Sequence, residues 1–319
     1  MVEYAEQALD EGAFGISMGL EYIPNVTRDE LFAIASVAAK YGKLVPIHTR
    51  LDAYRSAEGL KEVFDIAQIT GAKVNISHLG YQCGYGQIEQ SLLMIDQMWE
   101  KGYKIWFDTG AYEATGNYLG SQIFAPGWTQ RYGVKIDALM ISSGPYIGQR
   151  CTENLFNELK SRAPETLVTA FIGKYHEFIR AFQHPYAVVS TDGGLGAKPG
   201  EGHPQDVGTF PKVIGRFARE LNVLSLMDAI RKSTILPAEI IGLNNKGWLG
   251  TGADADLVIF DPDRIIDRAE YAGMGQCDAP CEGIEYVLVN GVSVLEGGKI
   301  NKGIKPGNVI KQENKLWSI

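Results

Sequence analysis

The sequence predicts an α/β protein built around a parallel β-sheet. Short apolar segments with strand character alternate with amphipathic helical segments, and the unit repeats about every 30 residues. Two of the apolar segments, 43–47 and 73–77, begin with lysine and run directly into a histidine. This alternation and shared register are typical of βαβ units, in which helices connect consecutive parallel strands.

The first third of the chain shows the repeat most clearly. Residues 2–11 have the apolar periodicity of a helix without a capping side chain before it, so we expect the chain to begin inside a helix. A strand at 13–20 precedes a helix that starts with the capping box of Thr27 and Glu30 and ends at Gly42. The further strands are predicted at 43–47, 73–77 and 104–108, and the helices between them at 58–70 and 87–101.

The rest of the chain departs from this repeat. Residues 109–186 are expected to form long loops and helices within one oversized unit, and a strand follows at 187–191. Towards the C-terminus, an Asn-Gly hairpin at 290–291 indicates a small β domain. Its strands are predicted at 256–260, 285–290 and 292–296. We therefore expect two domains, a sheet of about five strands in 1–245 and part of a small β domain in 246–319.

Composition and charge exclude several classes of protein. The 319 residues include 30 Lys and Arg against 38 Asp and Glu, a net charge of −8, without a basic cluster that would bind nucleic acid. No apolar run reaches the roughly 18 to 20 residues of a membrane span. The four cysteines are scattered and the N-terminus lacks the features of a secretory signal, so we expect a reduced, cytoplasmic protein.

Three polar residues follow predicted strands at equivalent places. His48 and His78 are 30 residues apart, and Asp192 follows a later strand and precedes two glycines. The carboxyl ends of parallel strands meet at one edge of a sheet, where α/β proteins build their sites. Two imidazoles and a carboxylate suit a divalent metal, zinc first. Alternatively, the histidines contact a phosphate or polar substrate without a metal, and Asp192 only forms a turn.

Several motifs resemble one enzyme family in their order along almost the whole chain. The family is the N-acyl-D-amino-acid deacylases, or D-aminoacylases, of the amidohydrolase superfamily. The motifs are GISMGLEY at 15–22, IHTR at 47–50, ISHLG at 76–80, STDG at 190–193, GTFP at 208–211, LPAE at 236–239, GADADLVIF at 252–260 and GIEYVLVNG at 283–291.

The resemblance implies a metal-dependent, TIM-like (β/α)8 barrel with a flanking β-sandwich domain. His48 and His78 match the family's zinc ligands, and one or two zinc ions or another divalent metal are implied. Asp192 matches the aspartate that takes a proton from the metal-activated water and passes it to the leaving nitrogen. The implied reaction cleaves a linear amide, converting an N-acyl-D-amino acid to a carboxylate and a D-amino acid.

Further residues are candidates for substrate contact. Tyr112 and Thr115 follow the strand at 104–108, where relatives place a tyrosine-rich substrate loop, although the family's Tyr-Pro-Tyr is Gly-Ala-Tyr here. His203 lies in the loop after Asp192, within a motif where relatives usually carry arginine instead of Gln205. Arg50 either pairs with a substrate carboxylate or forms an ion pair behind the site.

The remaining histidines and cysteines have less definite roles. His176 and His184 are expected to be structural. Cys83 follows His78 and could stand in for the cysteine ligand of the family, which lies in an N-terminal region that this chain lacks. Cys277 and Cys281 have no second pair of ligands, so we expect two ordinary thiols instead of a structural zinc site.

Features of the amidohydrolases that this sequence lacks leave several hypotheses open. The chain has no His-x-His motif, which opens the barrel in amidohydrolases, and only about five barrel strands. We expect the C-terminal part of a D-aminoacylase-like enzyme, either truncated or completed by a separate N-terminal half or by a homo-oligomer. Two other hypotheses stay open: a cyclic-amide hydrolase of the dihydroorotase or hydantoinase kind, and a non-catalytic fragment that oligomerises.

Overall fold

A computed structural model describes residues 1–194 and 198–312. The strands are β1 (Met18–Gly19), β2 (Leu44–His48), β3 (Lys73–Ile76), β4 (Ile105–Thr109), β5 (Thr115–Tyr118), β6 (Leu139–Ile141), β7 (Leu167–Ala170), β8 (Ala187–Val189), β9 (Leu257–Phe260), β10 (Ile284–Val289), β11 (Val292–Glu296) and β12 (Lys299–Ile300). The α-helices are α1 (Val2–Asp10), α2 (Arg28–Lys40), α3 (Ser56–Thr70), α4 (Leu79–Cys83), α5 (Ile88–Glu100), α6 (Trp128–Tyr132), α7 (Glu153–Arg162), α8 (Tyr175–Gln183), α9 (Gln205–Lys212), α10 (Leu226–Ser233) and α11 (Ile235–Ile241). A π-helical segment, Val213–Glu220, follows α9 directly.

The central sheet has five parallel strands in the order β1-β2-β3-β4-β8, which confirms the predicted parallel α/β core of about five strands. The first strand is shorter than predicted: Met18 and Gly19 pair with β2, and Gly15 adds one isolated bridge to Leu44. A side chain at Gly15 would place its Cβ 2.1 Å from the carbonyl oxygen of Leu44. Close backbone approach, instead of a long ladder, therefore joins this segment to the sheet.

Helices pack on the sheet through the apolar stripes that the sequence predicts. In α2, the capping box is present: Thr27 Oγ1 accepts from the backbone N–H of Glu30, and the Glu30 carboxylate accepts from that of Thr27. Leu31, Ala35 and Ala38 of the same helix are buried in the main core. This core also includes side chains of α3, α5 and β2 to β4, so the helices fix the sheet from one side.

The segment between β4 and β8 corrects the prediction of loops and helices. Strands β5, β7 and β6 form a three-stranded antiparallel sheet in that order. The sequence does not predict this sheet, because its strand β5 consists of Thr115, Gly116, Asn117 and Tyr118, which do not alternate between apolar and polar residues. This inserted sheet has its own core, which includes Phe124, Trp128 and Phe156.

The C-terminal part contains the predicted hairpin and sheet. Strands β12, β11, β10 and β9 pair antiparallel in that order. The bounds of β9, β10 and β11 are close to the predicted ones, and β12 is an additional strand that the sequence analysis does not predict. Asn290 and Gly291 have φ values of 48° and 77°, as a type I′ turn requires. Residues 313–319 of the predicted second domain lie outside the described residues. In the part of the chain that the structure describes, no helix has the length and apolar character needed to cross a bilayer.

Candidate functional site

A cavity opens at the carboxyl end of the parallel strands, where the sequence predicts the site. Its lining includes side chains at or just after the ends of β1, β2, β3 and β8: Glu21, His48, His78 and Asp192. The inserted sheet supplies one wall, which includes Thr115, Asn117, Ser142 and Thr169. The structure therefore brings His48, His78 and Asp192 together, as the sequence predicts.

The two histidines are in direct contact. His48 is the last residue of β2, and His78 directly precedes α4. His48 Nδ1 lies 3.0 Å from His78 Nε2, and the ring centroids are 4.6 Å apart. On its other side, His48 Nε2 lies 2.8 Å from Glu21 Oε2. Burial, together with the neighbouring His78, lowers the pKa of His48 to about 3, so His48 is neutral near pH 7.

Two functional candidates have a strained backbone. His78 and Asp192 have φ values of 36° and 47°, in the left-handed region that residues with a side chain rarely adopt. The His78 N–H donates to Asp108 Oδ1 at 2.8 Å, which holds this conformation. Strain of this kind costs on the order of 1–3 kcal/mol and clusters at functional sites. Ala53, Asn222 and Asn290 have positive φ values as well, so it is the position of His78 and Asp192 in the cavity that distinguishes them.

A buried network of charges surrounds the His48 side of the cavity. Arg131 Nη2 lies 3.3 Å from Glu21 Oε1, and Arg131 Nε lies 3.4 Å from Asp52 Oδ1. Tyr132 donates a hydrogen bond from its hydroxyl to Asp52 Oδ2. Burial raises the pKa of both carboxyl groups, and the Arg131 guanidinium opposes that shift. Arg131 thus offsets two carboxylates that would otherwise repel each other.

Asp192 lies at the mouth of the cavity. Its surface is open to solvent, but the cavity walls crowd the carboxyl group, so desolvation raises its pKa while His78 opposes the shift. The backbone carbonyl of Asp192 accepts from Gln205 Nε2 at 2.6 Å, and Gln205 Oε1 accepts from the Tyr81 hydroxyl at 3.0 Å. The residue therefore combines a fixed backbone with an accessible carboxylate.

Two of the substrate-contact candidates line the cavity. Thr115 and His203 both belong to the lining of the cavity, and His203 has an exposed fraction of 5%. His203 Nδ1 accepts from the backbone N–H of Gln205 at 3.2 Å, so a neutral ring carries its proton on Nε2. Burial lowers the pKa of His203 to about 3, which keeps the ring neutral.

The other two candidates are engaged elsewhere. Arg50 donates from Nε to Glu62 Oε2 at 3.0 Å and from its terminal nitrogens to the backbone carbonyls of Pro24 and Val26. Tyr112 donates from its hydroxyl to Asp267 Oδ2 at 3.1 Å. Neither is among the described residues that line the cavity.

The cysteines also lie apart from the described lining of the cavity. Cys83 is buried among apolar side chains, and this burial raises the pKa of its thiol to about 12. A thiol with such a pKa is a poor source of the thiolate that a metal requires. Cys277 and Cys281 are both free, in line with two ordinary thiols.

Glu21, Asp52 and Arg131 were missed by the sequence analysis. A signal for Glu21 existed, because Gly19 pairs with His48 in register and Glu21 follows β1 at the same edge of the sheet. Asp52 follows β2 in the same way. Arg131 comes from α6 inside the insertion, more than 75 residues away from either carboxylate, and no local pattern indicates its position.

The chain is similar in sequence to known amidohydrolases. A model of the amidohydrolase family matches residues 198–295. The chain is 32% identical to the N-acyl-D-glutamate deacylase of Alcaligenes xylosoxydans xylosoxydans over 96% of its own length and 62% of that protein. It is 28% identical to the N-acyl-D-aspartate deacylase of the same organism, over 98% of this chain and 63% of the relative. The chain thus spans less than two thirds of these relatives.

Solved structures give the same result. The N-acyl-D-glutamate deacylase of Bordetella bronchiseptica, in complex with zinc and a phosphonate inhibitor, superposes with a TM-score of 0.77 at 30% identity, over 92% of this chain and 62% of that chain. A D-aminoacylase mutant in complex with copper chloride has a TM-score of 0.83 at 23% identity, over 98% and 66% of the two chains, and shows the shared fold. The chain is therefore homologous to the N-acyl-D-amino-acid deacylases over the part of their length that it matches and shares their amidohydrolase fold.

Proposed function

We propose that this protein is a zinc-dependent hydrolase that cleaves the linear amide of an N-acyl-D-amino acid, releasing a carboxylate and a D-amino acid. The observation that carries the proposal is the contact between His48 Nδ1 and His78 Nε2 in a cavity that also contains Asp192. The relatives named above, whose names describe deacylases of N-acyl-D-amino acids, support the choice of substrate class.

The two imidazoles fit a zinc ion. Tetrahedral zinc with bonds of about 2.0–2.1 Å holds two ligand nitrogens roughly 3.3 Å apart, close to the 3.0 Å between these ring atoms. Burial keeps His48 neutral, as metal binding requires. Among residues 1–194 and 198–312, no group of three or more His, Cys, Asp or Glu side chains forms a metal site. The proposal therefore assigns two protein ligands and leaves the number of ions at one or two.

The tautomer of His78 is compatible with this role. Gln82 Nε2 lies 3.3 Å from His78 Nδ1, and Gln82 Oε1 lies 2.6 Å from Thr49 Oγ1. A 180° rotation of the amide exchanges its donor and acceptor, at the cost of the 3.4 Å hydrogen bond from the Thr49 backbone N–H to Gln82 Oε1. Thr49 can then give its one hydroxyl proton to the Leu51 carbonyl, 2.9 Å away, and accept from Gln82. His78 would carry its proton on Nδ1 and leave Nε2 free for zinc.

The side chains then have distinct roles. Zinc held by His48 and His78 would polarise the amide carbonyl and lower the pKa of water. Asp192 would accept a proton on its carboxylate from the attacking water and donate it to the leaving nitrogen. Its raised pKa suits both steps, because it brings proton affinity closer to the working pH. Thr115 and His203 Nε2 would hydrogen-bond the substrate from the cavity wall.

A substrate panel tests the proposal. The purified protein, supplied with zinc, is assayed against N-acetyl-D-amino acids with acidic and neutral side chains, the matching L-isomers, and cyclic ureides. Hydrolysis of the D-isomers in preference to the L-isomers and the ureides is expected. Preferential opening of the ureides would instead support a cyclic-amide hydrolase, and zinc-loaded protein without activity on any of them would contradict the proposal.

A further inference from the structure

We propose that Glu21 is a positioning residue for the metal site, fixing His48 in the tautomer and ring orientation that present Nδ1 to a metal. The inference rests on the proposed zinc site and deepens it. The sequence motifs do not distinguish Glu21 from its neighbours. The structure distinguishes Glu21 from its neighbours, because its carboxylate contacts the ring of His48.

Hydrogen bonding decides the tautomer. The Arg131 guanidinium, 3.3 Å from Glu21 Oε1, favours the carboxylate form of Glu21. A carboxylate can only accept, so at 2.8 Å its Oε2 pairs with a proton on His48 Nε2. The neutral ring then has its lone pair on Nδ1, the atom that faces His78 Nε2. With the opposite tautomer, two lone pairs would meet at Glu21 and an N–H would point towards the metal position. Glu21 therefore determines whether His48 can bind a metal through Nδ1.

The Glu21 carboxylate is buried between His48 and an arginine. Glu21 has an exposed fraction of 7%, and its second oxygen lies 3.3 Å from Arg131 Nη2. Arg131 is in turn paired with Asp52. The contact of Oε2 with His48 Nε2, with the Arg131 charge beside Oε1, can orient the plane of the imidazole as well as select its tautomer. Carboxylate partners of this kind raise the basicity of a histidine ligand, and their removal typically lowers metal affinity about 10- to 100-fold.

Zinc affinity measured by chelator competition tests the proposal on the purified protein without relying on turnover. Glu21→Ala is expected to weaken binding about 10- to 100-fold. Glu21→Gln retains an amide oxygen that accepts from Nε2–H but loses the charge, so a smaller loss is expected. The matched control is Glu62→Gln, which also removes a carboxylate paired with an arginine, that of Arg50, away from the histidines. The control should bind zinc like the wild type.

The tautomer provides the second measurement. In ¹⁵N NMR spectra of the zinc-free wild type and Glu21→Gln, His48 should carry its proton on Nε2 before any metal binds. Unchanged zinc affinity in Glu21→Ala, or in Glu21→Gln if the alanine variant does not fold, overturns the role of Glu21, and so does a proton on Nδ1 in the zinc-free wild type. A wild-type protein that does not bind zinc at all would instead contradict the proposed function, so the two failures are distinguishable.

Discussion

The carboxylate of Asp108 holds the backbone of His78 in its left-handed conformation. Asp108 Oδ1 accepts from the His78 N–H at 2.8 Å, and Oδ2 accepts from Asn75 Nδ2 at 2.6 Å. Asp108 belongs to β4 and Asn75 to β3, so two neighbouring strands position the residue that follows β3. The direction in which His78 enters the cavity is thus set by side-chain hydrogen bonds of the sheet.

Replacing Asp108 with alanine should lower the free energy of unfolding by about 1.5–3 kcal/mol, since hydrogen bonds to a charged acceptor are lost. Urea unfolding measures the change. The control is Asp65→Ala, which removes a surface ion pair with Arg28 and should cost about 1 kcal/mol or less. Equal effects of the two substitutions would show that Asp108 does not support His78.

Replacing His48 or His78 with alanine should remove bound zinc from the purified protein, because either change leaves a single imidazole ligand. Metal analysis after dialysis measures the zinc content. His176→Ala is the control, since the side chain of His176 is 79% exposed and outside the described cavity lining. Full zinc retention after both single changes would exclude the proposed ligands.

Replacing Asp192 with asparagine should lower kcat about 100- to 10,000-fold, the usual contribution of a positioned general base or acid. The amide cannot accept the proton of water and return it to the leaving nitrogen. Zinc content and the free energy of unfolding should change little, because Asp192 is not a proposed ligand and its side chain is accessible to solvent. Steady-state kinetics at several pH values check the result, and a variant of wild-type kcat would rule out the assigned role.

A buried lysine predicts a pH dependence of stability. Lys232 Nζ donates to the carbonyls of His184 and Ala187, and burial lowers its pKa to about 8 from 10.5. Because the unfolded chain keeps this proton up to a higher pH than the folded one, stability should rise from pH 8 to 10.5. The shift corresponds to a gain on the order of 3 kcal/mol.

The variant Lys232→Met isolates that effect. Other groups titrate alike in both proteins, so the difference in free energy of unfolding, wild type minus variant, should increase between pH 8 and 10.5. Parallel urea unfolding series measure it. The variant also leaves two carbonyl groups without their donor, which should make it less stable than the wild type at pH 10.5. A difference that is constant with pH would show that Lys232 titrates normally in the folded protein.

The sequence was sufficient for residues whose positions depend on local pattern. His48 and His78 end consecutive units of the same register, so a parallel sheet necessarily brings them to one edge. Thr27 with Glu30 and Asn290 with Gly291 are short-range motifs, and the structure contains both. Their physical determinants lie within a few residues of chain.

Other features depend on contacts distant in sequence. Arg131 meets Glu21 and Asp52 only after the insertion folds, and a polar strand such as β5 has no apolar alternation to reveal it. The guanidinium of Arg50 is a suitable partner for a substrate carboxylate, but in the folded protein it pairs with the carboxylate of Glu62 in α3. Side-chain competition of this kind is decided by tertiary packing and is not encoded in a motif.

The inserted sheet β5-β7-β6 separates the wall of the cavity from the residues proposed to perform the chemistry. The histidines and Asp192 are attached to the parallel sheet, whereas Thr115, Asn117, Ser142 and Thr169 on the cavity wall belong to or adjoin a sheet with a core of its own. Substitutions in that wall would therefore change the shape of the cavity without displacing the histidines or Asp192, because the wall is supported by a separate hydrophobic core.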